Sequence, residues 1–431
     1  MDCCSQLPGD LLADILRRLP ARSLATARGV CSTWRAIVDE HSLIAQVAAL
    51  LPNDLRGLFV GLNDSCLQGF FARPSPAGPA IPGVDLDFVD DPVYDFDDYG
   101  TIENHCNGLL LLEGYIVNPA TRQWMRLPPL DNTNLLLLAN DIATSIWSYG
   151  DRGLVFDPAA VSPPHYDVIR MPHLMLQPDQ LPAVASLPEQ WPPSPLVLHV
   201  FSSRTGRWEE KSFIREGDTT MGTIADVCLA SQPYCQKHSV YLRGALYMHC
   251  QNDCIIKITP ANHKYRVIKL PGDFASNINA GDPFLGKSKG KVYCALLTRP
   301  RRLKIWFLNE TSSSYDDSSG YEWVLKHDDV NLGPIIQSYP CNHGGQQWIW
   351  SNYDTKQDKS RELPVNEEEF EWANDDDDDD NTRDAGENKS IHHNGRYISR
   401  ILGFHPFRDI IFLYDTGIRV VAYDYGKAKI E

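Results

Sequence analysis

The 431-residue chain is 43% hydrophobic and 22% charged, close to the average globular mix, which excludes a fully disordered or collagen-like polymer. No stretch approaches the ~18 consecutive apolar residues of a membrane-spanning helix, and the first residues lack the basic and apolar regions of a signal peptide. We therefore expect an intracellular protein of two or three domains, located in the cytoplasm, the nucleus or both.

The net charge of −16 comes from 40 basic and 56 acidic residues, and two segments account for it. Asp85 to Glu103 holds 8 acids and no base, and Glu362 to Glu387 holds 13 acids and one base. The remainder has 39 bases and 35 acids, so it lacks the strongly basic footprint that nucleic-acid binding requires. We predict a disordered acidic insertion at about 362–390, which is either a solubilising segment or a docking strip for a basic partner.

The first helix is predicted from an apolar stripe at helical spacing. Leu11, Ile15 and Leu19 recur every four residues, with Leu12 and Leu16 beside them. Pro8 suits the first turn, and Pro20 ends the run. Two more short helices follow, capped by Ser23 and Ser32.

Three short helices within about 40 residues form only a marginal core, yet this segment carries more apolar side chains than so small a bundle can bury. The surplus predicts a partner surface. The alternative is that the helices pack onto the rest of this chain.

The pattern Leu-Pro-x-Asp-Leu-Leu-x-x-Ile-Leu-x-x-Leu-Pro, then x-x-Ser-Leu and Val-Cys-x-x-Trp-Arg, resembles an F-box. Gly29 departs slightly from the usual pattern, at a helix end where glycine is common. The resemblance implies docking on the Skp adaptor of a cullin–RING ubiquitin ligase. The positions that match the motif are Leu7, Pro8, Leu11, Ile15, Leu16, Leu19, Pro20, Leu24, Val30 and Trp34.

After residue 50 the sequence changes character. Residues 73–83 are too rich in proline and glycine for regular structure, and from about 100 onward short Leu/Val/Ile/Tyr/Phe runs alternate with turn residues. Such spacing is typical of a sandwich, barrel or propeller. We predict an α+β multidomain chain: a three-helix module at 1–48, a linker at 49–99, and a mainly-β domain at 100–431.

Internal repetition favours a propeller of about six blades. An aromatic residue follows a turn and a strand at Trp124, Tyr166, Trp208, Tyr265 and Trp323. These positions are 42, 42, 57 and 58 residues apart. Exits such as Leu127-Pro128 and Leu270-Pro271 follow some of them, and glycines precede the apolar strands at Gly108, Gly153, Gly244 and Gly290. A different all-β architecture remains the alternative.

The segments Cys106–Leu111, Tyr115–Trp124 and Gly153–Pro158 resemble the F-box-associated, kelch-like propeller domain of plant F-box proteins. The match is looser after about residue 215. An F-box followed by such a domain implies that the β domain recruits a protein target.

Two short segments are faintly similar to motifs for phosphate or metal binding. Gly286–Val292 differs from a phosphate-binding loop in its glycine spacing and in Val292, so it is interpreted as a hairpin turn. Cys250 and Cys254, beside His249, lack a second ligand pair and are interpreted as core residues. We expect no cofactor, no metal and no catalytic residue, and no partnership with nucleic acid or membrane.

The predicted function is a non-catalytic substrate receptor of a Skp–cullin–F-box ubiquitin ligase, with an unknown and possibly basic protein target. Two alternatives stay open: a propeller enzyme or glycan-binding lectin, which requires convergent ligands or acids on one face, and an adaptor-bound scaffold that promotes no degradation.

Overall fold

The computed structural model of the chain forms two compact units, Met1–Arg56 and Gly57–Glu431. The described residues are 8–19, 24, 27, 30–41, 43, 55, 57–62, 67–72, 86, 88–90, 102–130, 151–158, 164–172, 190–230, 238–250, 254–272, 283–298, 302–311, 320–337, 349–352, 398–415 and 419–430. The predicted acidic insertion at 362–390 and the proline- and glycine-rich segment at 73–83 lie outside them.

The first unit contains two well-described helices, α1 (Gly9–Arg17) and α2 (Ser32–Glu40). Of the helix predicted between them, Leu24 and Ala27 are described, and both are helical and buried. The helical character predicted for this part of the chain is therefore confirmed.

The second unit is mainly β, as predicted. Its strands are β1 (Gly57–Leu62), β2 (Leu67–Ala72), β3 (Ile102–Cys106), β4 (Leu109–Leu112), β5 (Tyr115–Asn118), β6 (Gln123–Arg126), β7 (Asp151–Phe156), β8 (Tyr166–Met171), β9 (Gln190–Trp191), β10 (Leu196–Ser202), β11 (Arg207–Arg215), β12 (Gly222–Thr223), β13 (Ser239–Leu242), β14 (Ala245–Cys250), β15 (Cys254–Thr259), β16 (Lys264–Lys269), β17 (Phe284–Ser288), β18 (Lys291–Thr298), β19 (Arg302–Thr311), β20 (Gly320–Asn331), β21 (Ile349–Asn352), β22 (Ile398–Phe404), β23 (Ile410–Asp415), β24 (Arg419–Asp424) and β25 (Lys429–Ile430). Helices α3 (Ile224–Ala230) and α4 (Leu332–Gln337) and a 3₁₀ turn at Pro260–Asn262 interrupt them.

Most strands belong to antiparallel four-stranded meanders. Three are separate sheets, ordered β3-β4-β5-β6, β17-β18-β19-β20 and β22-β23-β24-β25. Two more, β7-β8-β10-β11 and β13-β14-β15-β16, join into one eight-stranded sheet through a short parallel pairing of β11 with β16. The edge strands of that sheet, β7 and β13, also contact each other, so the sheet almost closes on itself.

The first strands of successive meanders lie side by side: β3 contacts β7, β7 contacts β13, β13 contacts β17, and β17 contacts β22. A further sheet, ordered β1-β2-β21, packs between the first and last meanders. Phe59 of β1 packs against the core of the β3–β6 sheet, while Leu58 and Val60 pack against Leu402 and Tyr414.

Strands β1 and β2 fall within residues 49–99, which were predicted to form a linker. Val60 of β1 and Phe70 of β2 are buried. Strand β2 pairs with β21, which lies far along the chain. Short-range patterns cannot reveal such a pairing, so this sheet was not predicted from the sequence.

The turn that follows the first strand is of the same kind in three meanders. Both central residues have positive φ at Asn107-Gly108, Arg243-Gly244 and Lys289-Gly290, the geometry of a type I′ turn, whose twist matches that of the flanking strands. The hairpin interpretation of Gly286–Val292 is thus confirmed, since β17 and β18 pair through Ser288 and Lys291.

Three of the periodic aromatic residues donate a hydrogen bond to an earlier part of the chain. The indole N–H of Trp208 donates to the Pro128 carbonyl at 2.9 Å. The indole N–H of Trp323 donates to the Lys269 carbonyl at 2.8 Å. The Tyr265 hydroxyl donates to the carbonyl of Pro193 (2.7 Å). Pro128 belongs to the Leu127-Pro128 pair noted in the sequence, and Lys269 directly precedes the Leu270-Pro271 pair. The repeated aromatic residues and the repeated Leu-Pro segments are therefore joined by hydrogen bonds.

Candidate functional site

The apolar surface of the first unit begins with the local sequence of α1. The backbone N–H groups of Leu11 and Leu12 both donate to the Pro8 carbonyl at 3.1 Å. Asp10 lies in the first turn and Arg17 in the last, where each charge complements the helix dipole. An exposed ion pair joins Arg17 to Asp14 at 2.5 Å, and a pair of this kind contributes little to stability.

The apolar residues of α1 divide between two faces. Leu12, Ala13 and Leu16 are buried in a core with Leu24, Ala27, Ile37, Val38 and Leu43. Leu11 and Ile15, one helical turn apart, are 53% and 49% exposed. Fully burying a leucine or isoleucine side chain contributes roughly 1.5–3 kcal/mol, and about half of that gain is still open to these two side chains, so this face is suited to a protein partner.

The predicted adaptor-binding residues therefore occupy different environments. Leu16 and Leu24 are fully buried, so their side chains stabilise the unit itself, while Leu19 and Trp34 pack at the edge of the same core. Pro8, Leu11, Ile15 and Val30 are exposed, Val30 at 59%. Leu7 and Pro20 lie outside the described residues.

Trp34 packs on the core of the helical unit and has a buried indole N–H group. Its ring packs on the core, and its indole Nε1 is buried without a hydrogen-bond acceptor in the described part of the unit. The helical spacing of Ile37 and Val38 with Trp34 could have indicated the inner face of α2. Core residues of this site that the predicted adaptor-binding set did not include are Ala13, Ala27, Ile37, Val38 and Leu43.

The cysteine pair noted in the sequence lies in the core of the β unit. Cys250 and Cys254 are cross-strand partners on β14 and β15, and both are buried in the largest apolar cluster. Across the described parts of the chain, no three His, Cys, Asp or Glu side chains are arranged to hold a metal ion. No helix among the described residues is long and apolar enough to cross a membrane.

Comparison with known proteins identifies the helical segment. The F-box domain family matches residues 4–45. The chain is 32% identical to a putative F-box protein of Arabidopsis thaliana over 137 residues, covering 28% of this chain and 32% of that protein. It is 23% identical to a putative F-box/kelch-repeat protein of the same plant over 231 residues, covering 48% of this chain and 46% of the relative.

A probable F-box protein of Arabidopsis thaliana is 34% identical over 113 residues, which is 25% of this chain and 26% of that protein. The chain thus spans about a quarter to a half of the length of the curated relatives it matches. Residues 4–45 form an F-box domain, and over part of its length the chain is similar to plant F-box proteins.

Proposed function

We propose that this protein is a substrate-recognition subunit of a Skp–cullin–F-box ubiquitin ligase. The observation that carries the proposal is the exposed apolar pair Leu11 and Ile15 on an F-box helix whose opposite face is already buried. A helix with one apolar face in its own core and a second apolar face in water fits a groove on another protein.

The same observation divides the predicted adaptor-binding residues by role. In this proposal Pro8, Leu11, Ile15 and Val30 contact the Skp adaptor directly, because their side chains are exposed. Leu16, Leu24 and the edge residues Leu19 and Trp34 hold the helices in the geometry that presents them. Leu7 and Pro20 are assigned to the adaptor contact because they match the F-box motif in the sequence.

The second unit would recruit the target. Its five meanders have adjacent first strands, and the β1-β2-β21 sheet packs between the first and last of them. These contacts support a six-bladed, kelch-like propeller. The ligase would then act by proximity: holding a target lysine near a charged ubiquitin conjugate raises its effective concentration, without side-chain chemistry from this subunit.

The proposal is tested with the variant Leu11→Asp/Ile15→Asp in the full chain. Two carboxylates placed in an apolar interface lose their hydration without gaining partners, so we expect co-purification of the Skp adaptor and the cullin to fall at least tenfold. The matched control is Leu325→Asp, because Leu325 on β20 is similarly exposed at 47%, and it should retain both.

Circular dichroism and thermal unfolding of the β unit should be the same in both variants and the wild type. Undiminished capture of the adaptor by the double variant would contradict the proposal. Target half-life, measured in cells with and without the cullin, separates the receptor from a scaffold that promotes no degradation.

A further inference from the structure

Tight turns from several meanders meet on one face of the β unit. Lys287 at the end of β17 donates from Nζ to Asn107 Oδ1 of the β3–β4 turn at 3.0 Å, and Asn107 donates from Nδ2 to the Phe156 carbonyl of β7 at 2.7 Å. The Lys289 amide donates to the Pro406 carbonyl at 2.8 Å.

The β13–β14 turn is part of the same surface, because the guanidinium group of Arg243 lies beside Gly290. One of its nitrogens is 3.5 Å from the position that a Cβ atom on Gly290 would take. These contacts link the turns of four meanders and the end of β7 in a fifth. We call the resulting surface the turn ring and define it by its residues, 107–108, 156–158, 243–244, 287–290 and 405–409.

The turn ring is positively charged. Its cations Arg243, Lys287, Lys289 and Arg408 outnumber its acids, Asp157 and Asp409, and Asp409 is already paired with Lys289 at 2.7 Å. An anionic group on this face would be attracted by several cations at once.

An exposed aromatic residue lies within this cationic surface. Phe407 is 50% exposed, and its turn is held in place by the buried His405. The Nδ1 atom of His405 accepts hydrogen bonds from the backbone N–H groups of Phe407 (3.1 Å) and Arg408 (3.2 Å), and its carbonyl accepts the Ser288 hydroxyl (2.7 Å).

These hydrogen bonds fix the backbone of the turn at Phe407 and Arg408. Both side chains are exposed, and a preorganised backbone lowers the entropy cost of binding. Phenylalanine and arginine are both enriched in protein interfaces, and arginine is also enriched among their energetically dominant positions.

We infer that the turn ring binds an acidic protein segment, with Phe407 contacting an apolar side chain of that segment and Arg243, Lys287 and Arg408 contacting its carboxylates. The inference rests on the proposed function, because the bound segment would belong to the target. The bound segment inferred here is negatively charged, whereas the acidic insertion pointed to a positively charged partner. A nucleic acid is the less favoured anion, since the chain outside its two acidic segments is nearly neutral.

The test is a selection of displayed random dodecapeptides on the full chain, followed by affinity measurements on the enriched sequences. We expect those peptides to combine aspartate or glutamate with at least one large apolar residue. Their dissociation constants should rise at least tenfold in the variant Phe407→Ala/Arg408→Gln and at least threefold in Arg243→Gln. Affinity should also fall at higher salt, because exposed charges are screened.

The matched control is Leu325→Ala/Lys269→Gln, which removes an exposed apolar residue and an exposed cation from β20 and β16; it should stay within twofold of the wild type. No enrichment, enrichment of basic or neutral peptides, unchanged affinity in the Phe407→Ala/Arg408→Gln variant, or tighter binding of a single-stranded oligonucleotide than of the peptides would each overturn the inference. Adaptor co-purification, measured in parallel, reports on the proposed function separately, because it should be normal in every turn-ring variant.

Discussion

Neighbouring leucines of α1 have different roles that their sequence positions alone do not distinguish. Leu12 and Leu16 enter the core of the helical unit, whereas Leu11 and Ile15 remain exposed. All four belong to one wide apolar stripe, and helical periodicity says which residues share a face but not which face meets the chain's own core.

This division predicts opposite effects for two conservative truncations. Leu16→Ala should destabilise the helical unit by about 2–5 kcal/mol, because it leaves a cavity in a small core. Leu11→Ala should change stability by less than about 0.5 kcal/mol, as exposed substitutions usually do, while weakening adaptor binding. Urea unfolding of both variants, together with adaptor binding, measures the difference. Equal stabilities for Leu11→Ala and Leu16→Ala would show that the two faces are not distinct.

At the level of strands and turns, two of the repeated aromatic residues connect their meander to an earlier one. Trp208 of β11 and Trp323 of β20 donate to carbonyls that lie 80 and 54 residues earlier in the chain. The spacing of the aromatics was visible in the sequence, and Asn107-Gly108 is a recognisable type I′ pair. The bonds themselves were not predictable, because they join residues that only the folded sheets bring together.

The indole hydrogen bond gives a prediction at this scale. Trp208→Phe keeps an aromatic ring against Phe201, whose centroid lies 5.6 Å from the Trp208 ring, but removes the donor to Pro128. We expect a loss of about 1 kcal/mol in the free energy of unfolding, the typical net contribution of one hydrogen bond. Trp323→Phe should cost a similar amount. If thermal unfolding shows no change in either variant, these bonds do not contribute to the stability of the β unit.

For the molecule as a whole, the sequence predicted a helical module followed by a mainly-β region, and the structure confirms both. It did not predict the β1-β2-β21 sheet, whose third strand begins 277 residues after its second ends. The role inferred for Phe407 and Arg408 was not predictable from the sequence, because an aromatic residue beside an arginine is common, and only the folded turn shows that both side chains are exposed.

The proposed function depends on an apolar surface of the F-box domain that another protein covers. Calorimetric titration of the purified Skp adaptor into the full chain, repeated at several temperatures, measures this most directly. We predict a one-to-one complex with a negative heat-capacity change, the signature of apolar burial, and no measurable heat for Leu11→Asp/Ile15→Asp. A wild-type complex without a negative heat-capacity change, or equal binding by the double variant, would contradict the proposed function.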